Sequence, residues 1–317
     1  MPPSSPPTSS LPSRLTGIEY AVAFGVAIVW GLNNACAKLA TGVLPPLLVG
    51  SLRFAIALIV LLPFLKPPIP WSKNLLIIAV CCGPLHFSLL YLSFWMAHDL
   101  SPLSVSLQLW IPMTALLSWL LHKEAPSKGV LVGLVVAFLG VAVMALDPNV
   151  FRDGPALAVA ACASFCWALG TVTARRTPAV HPLKMQALAA VLAAPVMGAG
   201  SFLFERTRWS ALGHADWTIW AAILFSAFAS TVAATALMFW LVQRREPARV
   251  TPYMLTSPIV SCLIGVAFMG DVLTPQIIIG GAASIAGVGV VALAERSLKR
   301  RSGGSSTAEA AIEAEAP

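Results

Sequence analysis

The stretch WGLNNACAK at residues 30–38 has a second copy in WALGTVTAR at residues 167–175. The tryptophan, the leucine two positions later, and an alanine followed by a cation all recur at a constant offset of 137 residues. Further matches follow at offsets of 146 or 147 residues: Pro112 with Pro258, Gly133 with Gly280, and Gly140 with Gly287. The chain is therefore built from two related halves.

The composition places both halves in a lipid bilayer. Of 317 residues, 58% are hydrophobic and 10% are Asp, Glu, Lys or Arg, whereas a soluble chain carries roughly 25% charged residues. The six cysteines all lie within apolar runs, which argues against a disulfide framework or a zinc site. The net charge of +7 comes from cations in short gaps between those runs, so it indicates membrane topology and no nucleic-acid partner.

Ten stretches have the length and apolarity of transmembrane helices, since a hydrocarbon core about 30 Å thick requires about 20 apolar residues. Nine of them carry no charge: 20–37, 74–97, 100–121, 129–146, 154–174, 185–204, 217–243, 250–270 and 272–294. The tenth, second in the chain, follows Pro45 and Pro46 and reaches about Leu65, interrupted by Arg53. No alternation of apolar and polar residues typical of barrel strands appears.

Each half contributes five helices, at residues 17–148 and 154–297. Because five is odd, the second half enters the membrane in the opposite orientation. The predicted fold is an all-α polytopic membrane protein of two inverted five-helix repeats, an architecture typical of transporters with a site near the midplane. The flanking segments 1–16 and 298–317 have little to bury and are predicted to be disordered.

The Lys and Arg residues predict the orientation. With the N-terminus inside, fifteen of the 20 cations fall in gaps on that side, four fall on the other side, and Arg53 lies within a helix. By the positive-inside rule, the N- and C-termini are both cytoplasmic.

Several short motifs resemble those of one transporter family. They are Trp30-Gly31-Leu32-Asn33, Leu44-Pro45-Pro46, Leu52-Arg53-Phe54, Glu124 to Ser127, Ser164-Phe165-Cys166-Trp167, Pro258 and Asp271-Val272-Leu273-Thr274. Over about residues 17–297 the combination resembles the EamA family of the drug/metabolite transporter superfamily, and within it the bacterial exporters of cysteine and O-acetylserine. The resemblance implies an exporter of amino acids or related metabolites in the inner (plasma) membrane. Two positions depart from the family pattern: Lys123 stands where Gly usually precedes the Glu, and Asp271 replaces the second Glu.

Polar and aromatic side chains inside the spans are the candidate residues for binding a small-molecule substrate. Trp30 should lie roughly 18 Å deep at 1.5 Å per residue, near the midplane. An amide in hydrocarbon must find a partner, so Asn33 and Asn34 are expected either to line a cavity or to join helices by hydrogen bonds. The whole candidate set is Trp30, Asn33, Asn34, Gln108, Trp110, Trp167, Tyr253, Thr256 and Ser257.

Four further residues have two interpretations each. Pro112 and Pro258 interrupt helices at matching positions, which is typical either of a transporter site or of a simple kink. His86 is expected to shuttle protons or to be a hydrogen-bonded core residue. Arg53 is expected to attract a carboxylate substrate to an outer vestibule or, preferably, to pair with Asp99 or with carbonyls at helix ends.

Several absences restrict the function. No Asp or Glu falls in the middle of a span, so the carboxylate relay of many proton-driven carriers is missing. The sequence contains no Walker loop, H-E-x-x-H or G-x-S-x-G motif, and we therefore expect neither an enzyme nor a cofactor or metal. The alternatives to export are uptake or exchange of another polar metabolite, such as a sugar derivative or a nucleotide-linked compound, and, least favoured, a membrane-embedded enzyme.

Glycines in the fifth and tenth spans predict close packing of two helices. Small residues let helix backbones approach one another in membranes. The sequence leaves open whether these helices meet within the chain or join two copies in a homodimer.

Overall fold

A computed structural model of the protein describes residues 16–314 except 70, 124, 125, 175, 176, 178, 179 and 245–252. Within this part of the chain the secondary structure is helical, without strands. Ten apolar helices follow in order: α1 Gly17–Val43, α2 Pro46–Leu65, α3 Lys73–Met96, α4 Leu100–Leu121, α5 Lys128–Ala145, α6 Gly154–Ala174, α7 Pro182–Phe204, α8 Trp217–Met238, α9 Thr256–Met269 and α10 Pro275–Ala294.

Among the described residues, nine of these helices are long and apolar enough to cross a membrane, and α9 is the shorter tenth. The start of the predicted ninth span, residues 250–252, lies outside the described residues. The structure thus confirms the predicted all-α fold with ten apolar helices.

The structure describes the two flanking segments to different extents. Helical backbone continues beyond α10 to Ala314, through most of the segment predicted to be disordered. Alanine and glutamate are frequent in that segment, and both are strong helix formers. The predicted N-terminal disorder concerns residues that lie, except for Thr16, outside the described part.

Several helices begin at capping residues or at a first-turn proline. Thr16 and Glu19 form a capping box at the start of α1, in which the Thr16 backbone N–H donates to Glu19 Oε2 at 2.7 Å. Pro46 occupies the first turn of α2, where its missing N–H costs nothing. The hydroxyls of Ser72 and Ser127 accept backbone hydrogen bonds at the starts of α3 and α5.

The two repeats pack against each other in matching pairs. Helix α1 contacts α8 and α9 of the second repeat, and its counterpart α6 contacts α3 and α4 of the first. Likewise, α2 contacts α7 and α5 contacts α10. These inter-repeat contacts therefore occur between corresponding helix pairs of the two repeats, as a duplicated five-helix fold predicts.

Glycines bring α5 and α10 into close backbone contact within the chain. A Cβ added at Gly133 would lie 2.7 Å from the carbonyl oxygen of Gly287, and one added at Gly280 would lie 2.5 Å from that of Gly140. These glycine faces are used inside one protomer. The homodimer through α5 and α10 stays a prediction.

Irregular turns interrupt the helices at matching positions. Helix α3 contains a π-helical turn at Cys81–Leu85, with Pro84 inside it, and α8 contains a wider one at Ser226–Ala234. Helix α4 tightens to a 3₁₀ turn at Leu107–Leu109, just before Pro112. In the second repeat, Leu255 forms a turn directly before the helix that contains Pro258. Such interruptions re-aim side chains and carbonyls within a span.

Candidate functional site

A buried arginine lies at the seam between the two repeats. Arg53, about two turns into α2, is only 3% exposed. Its Nε donates to Thr231 Oγ1 at 2.8 Å, and its Nη1 and Nη2 donate to Tyr91 Oη at 3.1 Å and Ser230 Oγ at 3.4 Å. We call Arg53, Tyr91, Ser230 and Thr231 the Arg53 cluster; it joins α2 and α3 of the first repeat to α8 of the second.

The wide turn in α8 positions the two hydroxyls. Thr231 Oγ1 donates to the carbonyl of Ser226, five residues earlier, at 2.8 Å, as π-helical geometry allows. The same oxygen accepts from Arg53 Nε, so the Thr231 hydroxyl uses its proton and one of its two lone pairs. This arrangement holds the guanidinium in one orientation.

The expected pairing of Arg53 with Asp99 or with helix-end carbonyls is wrong. Within the described residues Arg53 forms no ion pair, and its hydrogen bonds go to side-chain hydroxyls. Asp99 instead lies with Asp153 and Asp271 at the N-terminus of α4. Arg53 is also buried and does not line an open vestibule. Its side chain points into the helix bundle, where α8 supplies hydroxyls from a turn that the sequence pattern did not predict.

Aromatic rings pack beside the Arg53 guanidinium and extend away from it. The Arg53 guanidinium carbon lies 5.0 Å from the centre of the Phe87 ring and 5.6 Å from that of Phe54. Phe87 in turn contacts His86 and Trp167, with ring centres 4.8 Å and 6.3 Å away. We call His86, Phe87 and Trp167 the aromatic row.

His86 has a defined hydrogen bond inside this row. Its Nδ1 donates to the carbonyl of Ala163 in α6 at 2.8 Å, because a carbonyl can only accept. Its ring lies 4.8 Å from that of Trp167. The structure therefore brings three predicted residues, Arg53, His86 and Trp167, into one continuous group.

A second polar group lies between α1 and α9. Asn34 Nδ2 donates to Ser261 Oγ at 3.2 Å, and Ser261 Oγ lies 3.1 Å from the carbonyl of Gly31 and 3.2 Å from that of Ser257. Asn33 is 6% exposed, and its Oδ1 has no hydrogen-bond partner among the described residues. Of the two roles expected for these amides, Asn34 has the second, because its hydrogen bond to Ser261 joins α1 to α9.

The other predicted residues lie in separate groups. Trp30 packs with α8 residues and with Met254, while Tyr253 contacts Tyr20 and Phe24 near the start of α1, at 5.4 and 5.3 Å between ring centres. Trp110 packs against an apolar group formed largely by α5 and α10. Gln108 is buried in the 3₁₀ turn of α4, and Thr256 is half-buried at the start of α9. Trp30 and Trp167 thus belong to different packing groups, because Trp30 packs against α8, whereas Trp167 packs against α3, the corresponding helix of the first repeat.

Tyr91, Ser230, Thr231 and Phe87 were missed by sequence reasoning. A lone tyrosine inside α3 and the Ser-Thr pair inside α8 were visible as polar residues in apolar runs. Their convergence on Arg53 depends on the packing of α2, α3 and α8, which no single-helix pattern contains.

Carboxylates satisfy helix N-termini at one end of the bundle. Asp271, before α10, accepts from the backbone N–H groups of Leu100 and Ser101 at 3.2 and 2.7 Å. Glu205, after α7, accepts from the N–H groups of Leu47 and Leu48 at 3.1 and 3.2 Å. Both contacts join the second repeat to a helix start in the first, where a negative charge is favourable.

Asp99 in the same region is left without such partners. It is the N-cap residue of α4, yet its side chain makes no cap hydrogen bond. Burial, followed by the negative charges of Asp271 and Asp153, raises the pKa of the Asp99 carboxyl. Lys38 Nζ lies nearby and donates to the carbonyls of Phe94, at 3.1 Å, and Ala97, at the end of α3. This end of the bundle is therefore held together by charged groups, and the Arg53 cluster is separate from it.

A cavity of about 480 Å³ opens at this end of the bundle. Its wall includes Thr41 and Pro45 from the ends of α1 and α2, together with Trp95 and Arg208. The Arg208 guanidinium carbon lies 4.8 Å from the centre of the Trp95 ring. The cavity does not include the predicted midplane residues.

Comparison with known proteins shows which transporter family this sequence matches. The sequence model of the EamA-like transporter family matches the chain twice, at residues 17–146 and 154–293. The chain is 25% identical over 276 residues to a probable amino-acid metabolite efflux pump of Salmonella typhimurium, covering 83% of this chain and 91% of that protein. It is 28% identical over 287 residues to a probable amino-acid metabolite efflux pump of Escherichia coli K12, covering 82% and 92%. An uncharacterized transporter of Bacillus subtilis is 27% identical over 288 residues, covering 85% and 89%.

A solved crystal structure also resembles this chain. The two superpose with a TM-score of 0.61, covering 90% of this chain and 99% of the other, at 19% sequence identity. At this identity the likeness shows a shared fold.

Proposed function

Because the chain belongs to the EamA-like transporter family, we propose that it exports amino acids or related small metabolites across the inner (plasma) membrane by alternating access. The chain is a multi-pass membrane protein and a transporter of the EamA type, not an enzyme. The names of its relatives from Salmonella typhimurium and Escherichia coli support amino-acid metabolites as the substrate class.

The observation that carries the proposal is the Arg53 cluster. A fixed cation inside an apolar helix is costly and is typical of a substrate or ion pathway. Its hydroxyl partners come from both repeats, so a movement of one repeat against the other would change the surroundings of the guanidinium. Transporters of inverted repeats bind their substrates at such a seam.

The irregular turns supply places where the helices can change direction. The π-helical turn of α3 directly precedes His86 of the aromatic row, and the π-helical turn of α8 contains Ser230 and Thr231 of the Arg53 cluster. The glycine contact of α5 with α10 holds the two repeats together by backbone packing. In this proposal α5 and α10 form the fixed join, and α3 and α8 reshape the site.

Export is tested in cells that overexpress the protein. They should tolerate toxic amino-acid analogues or excess cysteine-related metabolites better than cells with an empty vector, and should retain less of a labelled compound after preloading. Membrane content of the protein must be measured in parallel. Accumulation of every compound tested, at normal protein levels, would exclude export and favour uptake.

A further inference from the structure

The Arg53 cluster contains one formal charge and no opposite charge. All three hydrogen-bond acceptors around the guanidinium are neutral hydroxyls, and within the described residues no Asp or Glu forms an ion pair with it. A guanidinium has five N–H donors, of which three are used here. Hydroxyl dipoles and the faces of Phe54 and Phe87 offset part of the cost of burial but leave the net charge in place.

The fold itself does not require this charge. Helix α7 is the counterpart of α2 in the second repeat and packs against it. From residue 185 to its end, α7 contains no charged side chain. The same helix position is thus built once with a buried cation and once without, so a purely structural role does not account for Arg53.

The planar guanidinium selects the chemistry of the ligand. Its two-pronged donor geometry matches a carboxylate, which can accept two parallel hydrogen bonds. The aromatic row begins 5.0 Å from the guanidinium carbon and extends through Phe87 to His86 and Trp167. A molecule with a carboxylate at one end and an apolar or aromatic side chain would contact both parts.

The site offers no matching anion for an ammonium group. Among the ten helices of the described chain, Glu19 in the first turn of α1 is the single acidic residue. Because His86 donates through Nδ1 to a backbone carbonyl, it adds no negative charge either. The charge pattern therefore recognises a carboxylate far more specifically than an amino group.

We infer that the Arg53 cluster binds the carboxylate of the transported molecule beside the aromatic row, and that the substrates are small monocarboxylates whose amino group is dispensable. This inference rests on the proposed function and narrows it. It extends the substrate class from amino acids to hydroxy acids of the same side chain, and it excludes their amides.

The wild-type protein tests this selectivity without any substitution. At a given concentration, a ligand that binds the folded protein more tightly raises the melting temperature further, so thermal shifts in detergent rank ligands by affinity. We use phenylalanine, 3-phenyllactate and phenylalaninamide as one set, and leucine with its hydroxy acid and amide as a second. The acid and the hydroxy acid of at least one set should raise the melting temperature. The amide should require an at least about tenfold higher concentration for the same shift, because it has no carboxylate to accept charged hydrogen bonds from the guanidinium.

Substitutions locate the effect. Arg53→Gln should weaken binding of the acids by about tenfold to a hundredfold and abolish the difference between acid and amide. Arg208→Gln removes a surface cation that also lies over an aromatic ring, and it should leave both the affinity for the acids and the acid-to-amide difference unchanged. If Arg53→Gln does not fold, Thr231→Val serves as the second variant. It removes the hydroxyl that accepts from Arg53 Nε, so the guanidinium should lose its orientation and the difference in affinity between acid and amide should become smaller.

Several results would overturn the inference. They are an amide that binds as well as its acid, an Arg53→Gln protein with wild-type selectivity, no shift with any carboxylate, or an equal shift with chloride or phosphate at the same concentration. The proposed function fails separately. Cells that export amino acids while purified protein shows no preference for acids would refute the carboxylate site alone, whereas acid-selective binding without export would refute export alone.

Discussion

Asp271 and Asp99 lie side by side at the N-terminus of α4, and their substitution by asparagine should have opposite effects. Asp271 is 5% exposed and accepts three hydrogen bonds, from the N–H groups of Leu100 and Ser101 and from Ser101 Oγ at 2.5 Å. Each hydrogen bond to a charged group contributes about 1.5 to 3 kcal/mol. Asp271→Asn keeps one acceptor oxygen but loses the charge and turns an amide N–H₂ toward donors. We therefore expect a loss of about 2 to 4 kcal/mol of unfolding free energy, between one and two such bonds.

Asp99→Asn is the matched control. The raised pKa of Asp99 means that the folded state disfavours its charged form. The destabilisation is complete above the folded-state pKa and absent below the ordinary value of about 3.9. At pH 7 the Asp99→Asn protein should therefore be at least as stable as the wild type, and any gain should disappear as the pH falls below about 4.

Thermal unfolding in detergent measures both variants. At about 2 °C per kcal/mol for a large chain, Asp271→Asn should lower the apparent melting temperature by about 4 to 8 °C. The reasoning is refuted if Asp271→Asn melts with the wild type, or if Asp99→Asn is destabilised to the same extent at pH 7.

Three further predictions concern packing, a buried amide and topology. Gly133→Val should lower the free energy of unfolding by about 1 to 3 kcal/mol or more, because the α10 backbone lies 2.7 Å from the added Cβ. The control Gly25→Val, whose added Cβ faces open space, should lower it far less. Equal losses in both variants on thermal unfolding would contradict this prediction. Asn33→Leu removes a buried acceptor that has no partner among the described residues, so the free energy of unfolding should stay unchanged or rise by about 1 to 3 kcal/mol. If Asn33 also lines the substrate path, the affinity for the transported substrate should fall about tenfold, whereas wild-type transport kinetics would show that it does not line the path. Reporter fusions after Leu146 should be periplasmic and those near Arg301 cytoplasmic, and a periplasmic C-terminus would reverse the predicted orientation.

The sequence predicts the architecture well because that architecture depends on periodic features. The Trp30 and Trp167 motifs revealed the repeat, and uncharged runs located the helices. The matched glycines identified α5 and α10 as a closely packed pair, although their contact within one chain was left open. Each of these features depends on residues within one helix or at one offset.

The site was harder to predict because it depends on contacts among helices from both repeats. Arg53 was identified as unusual, but its acceptors come from α3 and from a π-helical turn of α8. Trp30 and Trp167 match in sequence and were both expected to bind the substrate, yet Trp30 packs against α8 and Trp167 against α3, so they lie in separate groups. Depth along a helix predicts how far a residue lies from the membrane surface, but not which helix it faces.

Transport by purified protein in liposomes tests the central claim most directly. A panel of labelled amino acids, a sugar derivative and a nucleotide-linked compound is measured with and without a pH gradient, against protein-free liposomes. The account predicts that at least one amino acid crosses faster with protein present than without it, while the sugar derivative and the nucleotide-linked compound do not. Passage of either of those two compounds, with no amino acid transported, would contradict the account.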